Sequence, residues 1–126
     1  MNATGYGFNP DEPHGISPEW VERIEAFKYD WGWGITGISI CMPWNSFEPT
    51  PGNYRLDGIQ KNIEYCKARG LTLSYKFWAL RNPKDGFLKD DEIQRAATGD
   101  IMYFGGQTSP SYSCERTNAL IANAVK

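Results

Sequence analysis

The sequence predicts an α/β fold, and three observations predict it. Stretches of helical periodicity alternate with short apolar stretches, and two of the latter follow helix-ending glycines. Gly34-Ile35-Thr36 and Gly70-Leu71-Thr72 echo one another along the chain, as a repeated structural unit would. Within the apolar stretches, residues of one parity are larger and more apolar than those of the other, as the two sides of a strand require.

The elements follow in order. A short strand is expected at "GYGF", residues 5–8. The first helix is "ISPEWVERIEAFKYDWG", with Ser17 as N-cap, Pro18 at the first helical position and Glu19 facing the helix dipole. Trp20, Ile24, Phe27 and Trp31 form its apolar face, and Gly32 and Gly34 end it. The second strand is 34–42. The second helix is "LDGIQKNIEYCKARG", where Asp57 and Gln60 match a capping box and Ile59, Ile63 and Cys66 form the buried face. Gly70 stops it and opens the third strand, 70–80. Residues 81–108 make a long loop, with a short helix expected at "KDDEIQRAA", and its acidic residues Asp85, Asp90, Asp91 and Glu92 are expected to be solvated. The third helix is "SPSYSCERTNALIANAVK", where Ser109-Pro110 repeats the Ser17-Pro18 start. It carries Cys114, Ile121 and Val125 on one face, flanked by Leu120 and Ala124.

Strand, helix, strand, helix, strand, helix implies parallel strands joined by right-handed crossovers. In the third strand Leu73, Tyr75, Phe77 and Ala79 share one parity, and Ser74, Lys76 and Trp78 share the other. An open doubly wound sheet would press both faces on helices and bury Lys76 at a cost. A (β/α)8 barrel points the second face inward, where polar residues near strand ends line a site. The expected fold is therefore a partial (β/α)8 barrel of three βα units, with residues 1–126 as one incomplete barrel domain.

Bulk composition narrows the function. The chain has 126 residues, 40% hydrophobic and 22% charged, as in a folded domain rather than a disordered one. Its net charge of −2 comes from interspersed acids and bases, with no basic run to bind nucleic acid. No stretch is apolar enough to span a membrane, and the N-terminal residues lack a basic patch followed by an apolar core. The compartment is left open. The three cysteines, Cys41, Cys66 and Cys114, form no CxxC pair and stand apart from the single histidine, His14, so neither a disulfide framework nor a metal or other cofactor is expected. The cysteines read as small apolar residues, and His14 as an exposed loop residue. Five tryptophans and a 14% aromatic share are high, which fits a rich core or a surface that stacks sugars or bases.

The segment "ISICMPWNSFEPTPGNYRLDGIQKNIEYCKARGLTLSYKFWALRNP" resembles the early part of retaining TIM-barrel glycosidases, closest to family 42 β-galactosidases and related xylanases and agarases. Those families carry Trp-x-x-(Leu/Phe)-Glu-Pro-x-x-Gly-x-Tyr after the second strand, matched here by Trp44, Phe47-Glu48-Pro49, Gly52 and Tyr54. Ala68-Arg69-Gly70-Leu71 matches the close of their next helix, and Ser109-Pro110-Ser111-Tyr112 the opening of the third. The likeness covers residues 16 to 126 and is strongest at 44–71. Two departures stand out. "GISIC" lacks the arginine that many relatives place on the second strand. The chain also has no Asn-Glu dipeptide, the setting of the family's acid/base glutamate after strand four. The resemblance implies the front of a glycoside hydrolase, extracellular or periplasmic in its full-length parent. It would contribute to a cleft for an oligo- or polysaccharide but lack both catalytic carboxylates, which a retaining enzyme holds about 5 Å apart.

The candidate substrate-binding residues are Trp44, Glu48, Lys76, Trp78 and Arg81, and no catalytic residue is assigned. Glu48 is either a brace for its turn or a sugar ligand. Trp44 and Trp78, at strand C-termini, are either core or stacking platforms for a pyranose. Lys76 either snorkels to the barrel mouth or binds hydroxyls, and a Schiff-base role is a third reading. Arg81 and Asn82 are hydrogen-bonders at that mouth or ordinary loop residues. The alternative for the whole chain is a self-contained, non-catalytic carbohydrate-binding or interaction protein. Uncovered sheet edges would favour self-association.

Overall fold

The computed structural model describes residues 2–5, 7–30, 34–78, 88–104, 107–108 and 115–124. These form a mixed α/β structure. In chain order they are β1 (Asn2–Gly5), α1 (Pro18–Glu25) running into a π-helical turn (Ala26–Asp30), β2 (Gly37–Pro43), α2 (Trp44–Phe47) and α3 (Leu56–Ala68). Then come β3 (Thr72–Trp78), a 3-10 turn (Asp90–Glu92), β4 (Tyr103–Phe104), β5 (Gln107–Thr108) and α4 (Glu115–Ala124). A three-stranded sheet has the order β1-β2-β3, and β1 pairs with β2 in parallel from Asn2 opposite Gly37 to Gly5 opposite Ile40. β4 and β5 form a separate antiparallel pair. The chain divides into two compact units, Met1–Met42 with Arg55–Lys76, and Pro43–Tyr54 with Phe77–Lys126.

Several elements depart from the sequence reading. The first strand lies at Asn2–Gly5 rather than 5–8. Phe8 is instead a core residue, and its N–H donates to the Cys41 carbonyl of the second strand at 2.8 Å. The first helix is α-helical only to Glu25, where the wider π turn takes over and shifts the face carried by Phe27. Ile24 is the buried residue of α1, and Trp31 lies outside the described residues. Ser17 occupies the N-cap, but its hydroxyl makes no capping bond. The helix expected at 89–97 is a single 3-10 turn followed by the Arg95–Ile101 bridge and the β4–β5 hairpin. Glu92, expected to be solvated, is buried, and its carboxylate accepts from the Lys89 N–H at 2.8 Å. Asp85, Cys114 and the Ser109-Pro110 helix start lie outside the described residues.

α3 shows why its buried face differs from the expected one. Gly58, Asn62, Tyr65 and Cys66 are buried, while Ile59 is half-buried and Ile63 is 44% exposed. Asn62 is fully enclosed and can be so because its amide is satisfied. Its Nδ2 donates to the His14 carbonyl at 2.6 Å, and its Oδ1 accepts from the Tyr75 hydroxyl at 2.8 Å. Gly58 allows close approach, since a Cβ there would lie 2.4 Å from Phe8 and 2.7 Å from Pro10. The expected capping box does not form. Arg55 takes the N-cap, Asp57 accepts from the Arg55 guanidinium, and Gln60 donates to Glu64. The same guanidinium reaches Asp11 at 2.9 Å, and Lys61 donates to the Pro10 carbonyl, so α3 fastens the 9–15 loop at several points.

The Glu25 carboxylate accepts from the Tyr65 hydroxyl and from Arg69, whose guanidinium lies over the Tyr65 ring at 3.8 Å. The half-buried His14 ring lies 4.9 Å from that of Tyr65 and is not the exposed loop residue expected. Burial, then the bond to Glu25, pushes the Tyr65 phenol up from its ordinary range, and burial does the same for Tyr75.

Two predictions follow from this packing. Gly58→Ala gains about 1 kcal/mol in helix propensity but forces an overlap costing roughly 1–3 kcal/mol. Urea unfolding should therefore show a net loss, and a gain would mean that Phe8 and Pro10 yield freely. The raised phenols of Tyr65 and Tyr75 keep their protons in the folded chain, so their stabilisation is complete below the ordinary phenol range near ~10 and is lost as pH rises past it. Tyrosinate absorbance should rise for these residues only together with alkaline unfolding. Their smooth titration in a still-folded chain would contradict this.

Candidate functional site

The candidate site is built by residues 43–54. β2 ends at Pro43, α2 follows as one helical turn, and Glu48 closes it with its N–H donating to the Trp44 carbonyl at 2.8 Å. Pro49 and Pro51 cannot continue a helix, so the chain turns. Asn53 returns its N–H to the Thr50 carbonyl at 3.0 Å, and Gly52 supplies the positive φ of 76° that the turn needs.

Glu48 organises this loop. It is only 3% exposed. One oxygen accepts from the Trp44 indole N–H at 2.7 Å and the other from the Gly52 N–H at 2.9 Å. The Tyr54 hydroxyl donates to the same carboxylate. Burial, and then the neighbouring Glu48 carboxylate, pushes the Tyr54 phenol above its ordinary range. Every fixed letter of the Trp-x-x-Phe-Glu-Pro-x-x-Gly-x-Tyr segment thus has a local role. Trp44, Gly52 and Tyr54 donate, Glu48 accepts, and Pro49 turns the chain. The Phe47 ring packs at 5.5 Å from Tyr54 and edge-on to Phe77 at 6.4 Å.

Trp44 is the centre of this unit's core. It is 0% exposed, packed against Tyr54, Phe77, Leu88, Leu120 and Ile121. Enclosed on all sides, its ring offers no face to a pyranose, which removes it from the expected stacking surface. Of the other candidates, Trp78 is half-buried at the end of β3. Lys76 is exposed and belongs to the other unit. Its strand alternates as the parity predicted, with Ser74 and Lys76 exposed and Leu73 and Tyr75 half-buried. Arg81 and Asn82 lie outside the described residues. The structure therefore joins Trp44 to Glu48 directly.

The sequence reading of Glu48 as a brace for its turn fits the Gly52 N–H bond, but sequence reasoning missed the Trp44 indole and the Tyr54 hydroxyl as partners, although the motif's spacing contained the signal. It also missed Asn62, for which a lone polar residue within a helix is no signal. Among the described residues no group of three or more His, Cys, Asp or Glu side chains is placed to hold a metal ion. No helix among them is long and apolar enough to cross a membrane. A hollow of about 310 Å³ lined by Glu19, Glu22, Arg23, Ala26 and Phe27 lies along α1 and its π turn and includes none of the candidate residues.

No family model, curated protein or solved structure matches the chain.

Glu48→Ala takes the Glu48 acceptor from the buried Trp44 indole N–H, at a cost of roughly 1–3 kcal/mol, and from the hydroxyl of half-buried Tyr54. Glu48→Gln keeps one acceptor oxygen and should lose less. Urea unfolding followed by tryptophan fluorescence should rank wild type above Glu48→Gln above Glu48→Ala. Equal stability of all three would show that Glu48 is not a brace.

Proposed function

We propose that this chain is part of a carbohydrate-active α/β protein, the front of a (β/α)8 glycoside hydrolase, contributing to a sugar-binding cleft without the two catalytic carboxylates. The observation that carries the reading is the 44–54 loop. A segment resembling the glycosidase motif folds as one hydrogen-bonded loop at the C-terminal end of a parallel strand. That end is where barrel enzymes build their substrate loops. The parallel pairing of β1 with β2 supports the same architecture.

In this reading Glu48 does not take part in bond cleavage. Its oxygens hold Trp44, Gly52 and Tyr54, and a nucleophile or general acid needs a reachable oxygen opposite a second carboxyl. The same engagement of Glu48 also favours the second reading, a non-catalytic carbohydrate-binding protein. Both readings assign sugar contact to Trp78, a half-buried aromatic residue at the end of β3, and to Lys76. Arg81, three residues beyond Trp78, is included as a hydrogen-bonder on its sequence position after the third strand alone.

The test is isothermal titration of the chain with xylo-, galacto- and agaro-oligosaccharides, neutral and charged, with reducing ends assayed in parallel. Binding without release of new reducing ends, weakened by Trp78→Ala, is expected. No heat from any oligosaccharide at millimolar concentration would overturn the carbohydrate reading, and release of reducing ends would overturn the non-catalytic one.

A further inference from the structure

The two faces of the β2–β3 region are unlike. On one, Ile38, Ile40 and Met42 are buried, and Leu73 and Tyr75 are half-buried. On the other, Ser39 and Cys41 are half-buried, while Thr72, Ser74 and Lys76 are exposed. β1 and β2 run parallel, and parallel sheets are as a rule covered on both faces. An apolar helix is a poor cover for the second face, because it would strip water from hydroxyls and an ammonium without replacing their hydrogen bonds. The ion pairs formed among the described residues join Arg23 to Glu19, Arg55 to Asp11 and Asp57, and Arg69 to Glu25, and do not include Lys76. What suits this face is a polyol that also carries an anion.

We infer that the Ser39, Ser74 and Lys76 face of the sheet binds an acidic saccharide, one bearing a carboxylate or a sulfate. Lys76 pairs with the anionic group, and Ser39 and Ser74 exchange hydrogen bonds with ring hydroxyls. A lysine ammonium is a compact point charge with rotatable donors, so it accepts either anion without the planar match that an arginine fork requires. The inference rests on the carbohydrate reading above and narrows it from sugars in general to charged ones.

The experiment titrates the full chain with two matched pairs. These are xylotetraose with and without one glucuronate branch, and neoagarotetraose with and without one sulfate. The acidic member of at least one pair should bind about tenfold more tightly than its neutral partner, as a charge-assisted contact allows. The pair that responds tells carboxylate from sulfate. The preference should shrink as salt shortens the screening length. Lys76→Gln should abolish the preference while leaving the melting temperature unchanged, and Lys76→Arg should retain it. Equal affinity within both pairs would overturn the inference and leave the carbohydrate reading standing. A preference that survives Lys76→Gln would overturn the assignment to this face. Binding to none of the four would overturn both.

Discussion

A carboxylate taken out of water must find donors, and in this chain Glu48 finds them within six residues of itself. The Trp44 indole, the Gly52 amide and the Tyr54 hydroxyl all turn toward it. That requirement sets the shape of the loop after β2, since Trp44 and Glu48, both buried, cannot part without leaving a polar group unpaired in an apolar setting. The shape of the loop in turn presents the Trp44 ring to Phe77, Leu88, Leu120 and Ile121, so the core of that unit grows around one hydrogen-bonded turn.

The other unit is organised by the same rule with a neutral group. Asn62 is enclosed at the middle of α3, tied to the His14 carbonyl and the Tyr75 hydroxyl. One amide thereby joins a loop, a helix and a strand. In the same unit Phe8, Ile16, Ile24, Ile38 and Ile40 supply apolar burial. The apolar residues provide most of the driving force, and the buried polar groups select one arrangement among the many that would bury similar area. This division of labour bears on function. A loop braced internally is a rigid scaffold, and under the proposed reading contact with a ligand falls to exposed residues of the sheet and strand ends.

Much of the fold was legible in the sequence. The α/β class, the positions of β2 and β3, the alternation along β3 and the extent of α3 follow from period and from terminal glycines. Those signals are local and repeat within one element. The caps were less legible. Ser17, Asp57 and Gln60 have the right chemistry at the right positions, yet Asp57 turns to Arg55 and Gln60 to Glu64. A side chain with two local partners chooses by geometry that sequence does not carry. The candidate site was half legible. The motif marked Glu48 as a turn brace but not its two side-chain donors, and strand-end position left Trp44 open between core and platform.

By itself the sequence determined the order of β2, α3 and β3, the two faces of those strands and the grouping of Trp44, Glu48, Gly52 and Tyr54 in one short segment, because each depends on residues a few positions apart. Only the tertiary structure decided that Trp44 is enclosed, that Asn62 rather than Ile63 faces the core, and that the Lys76 side of β3 is open. Those outcomes depend on what packs against each surface from distant parts of the chain, and burial is a property of both partners.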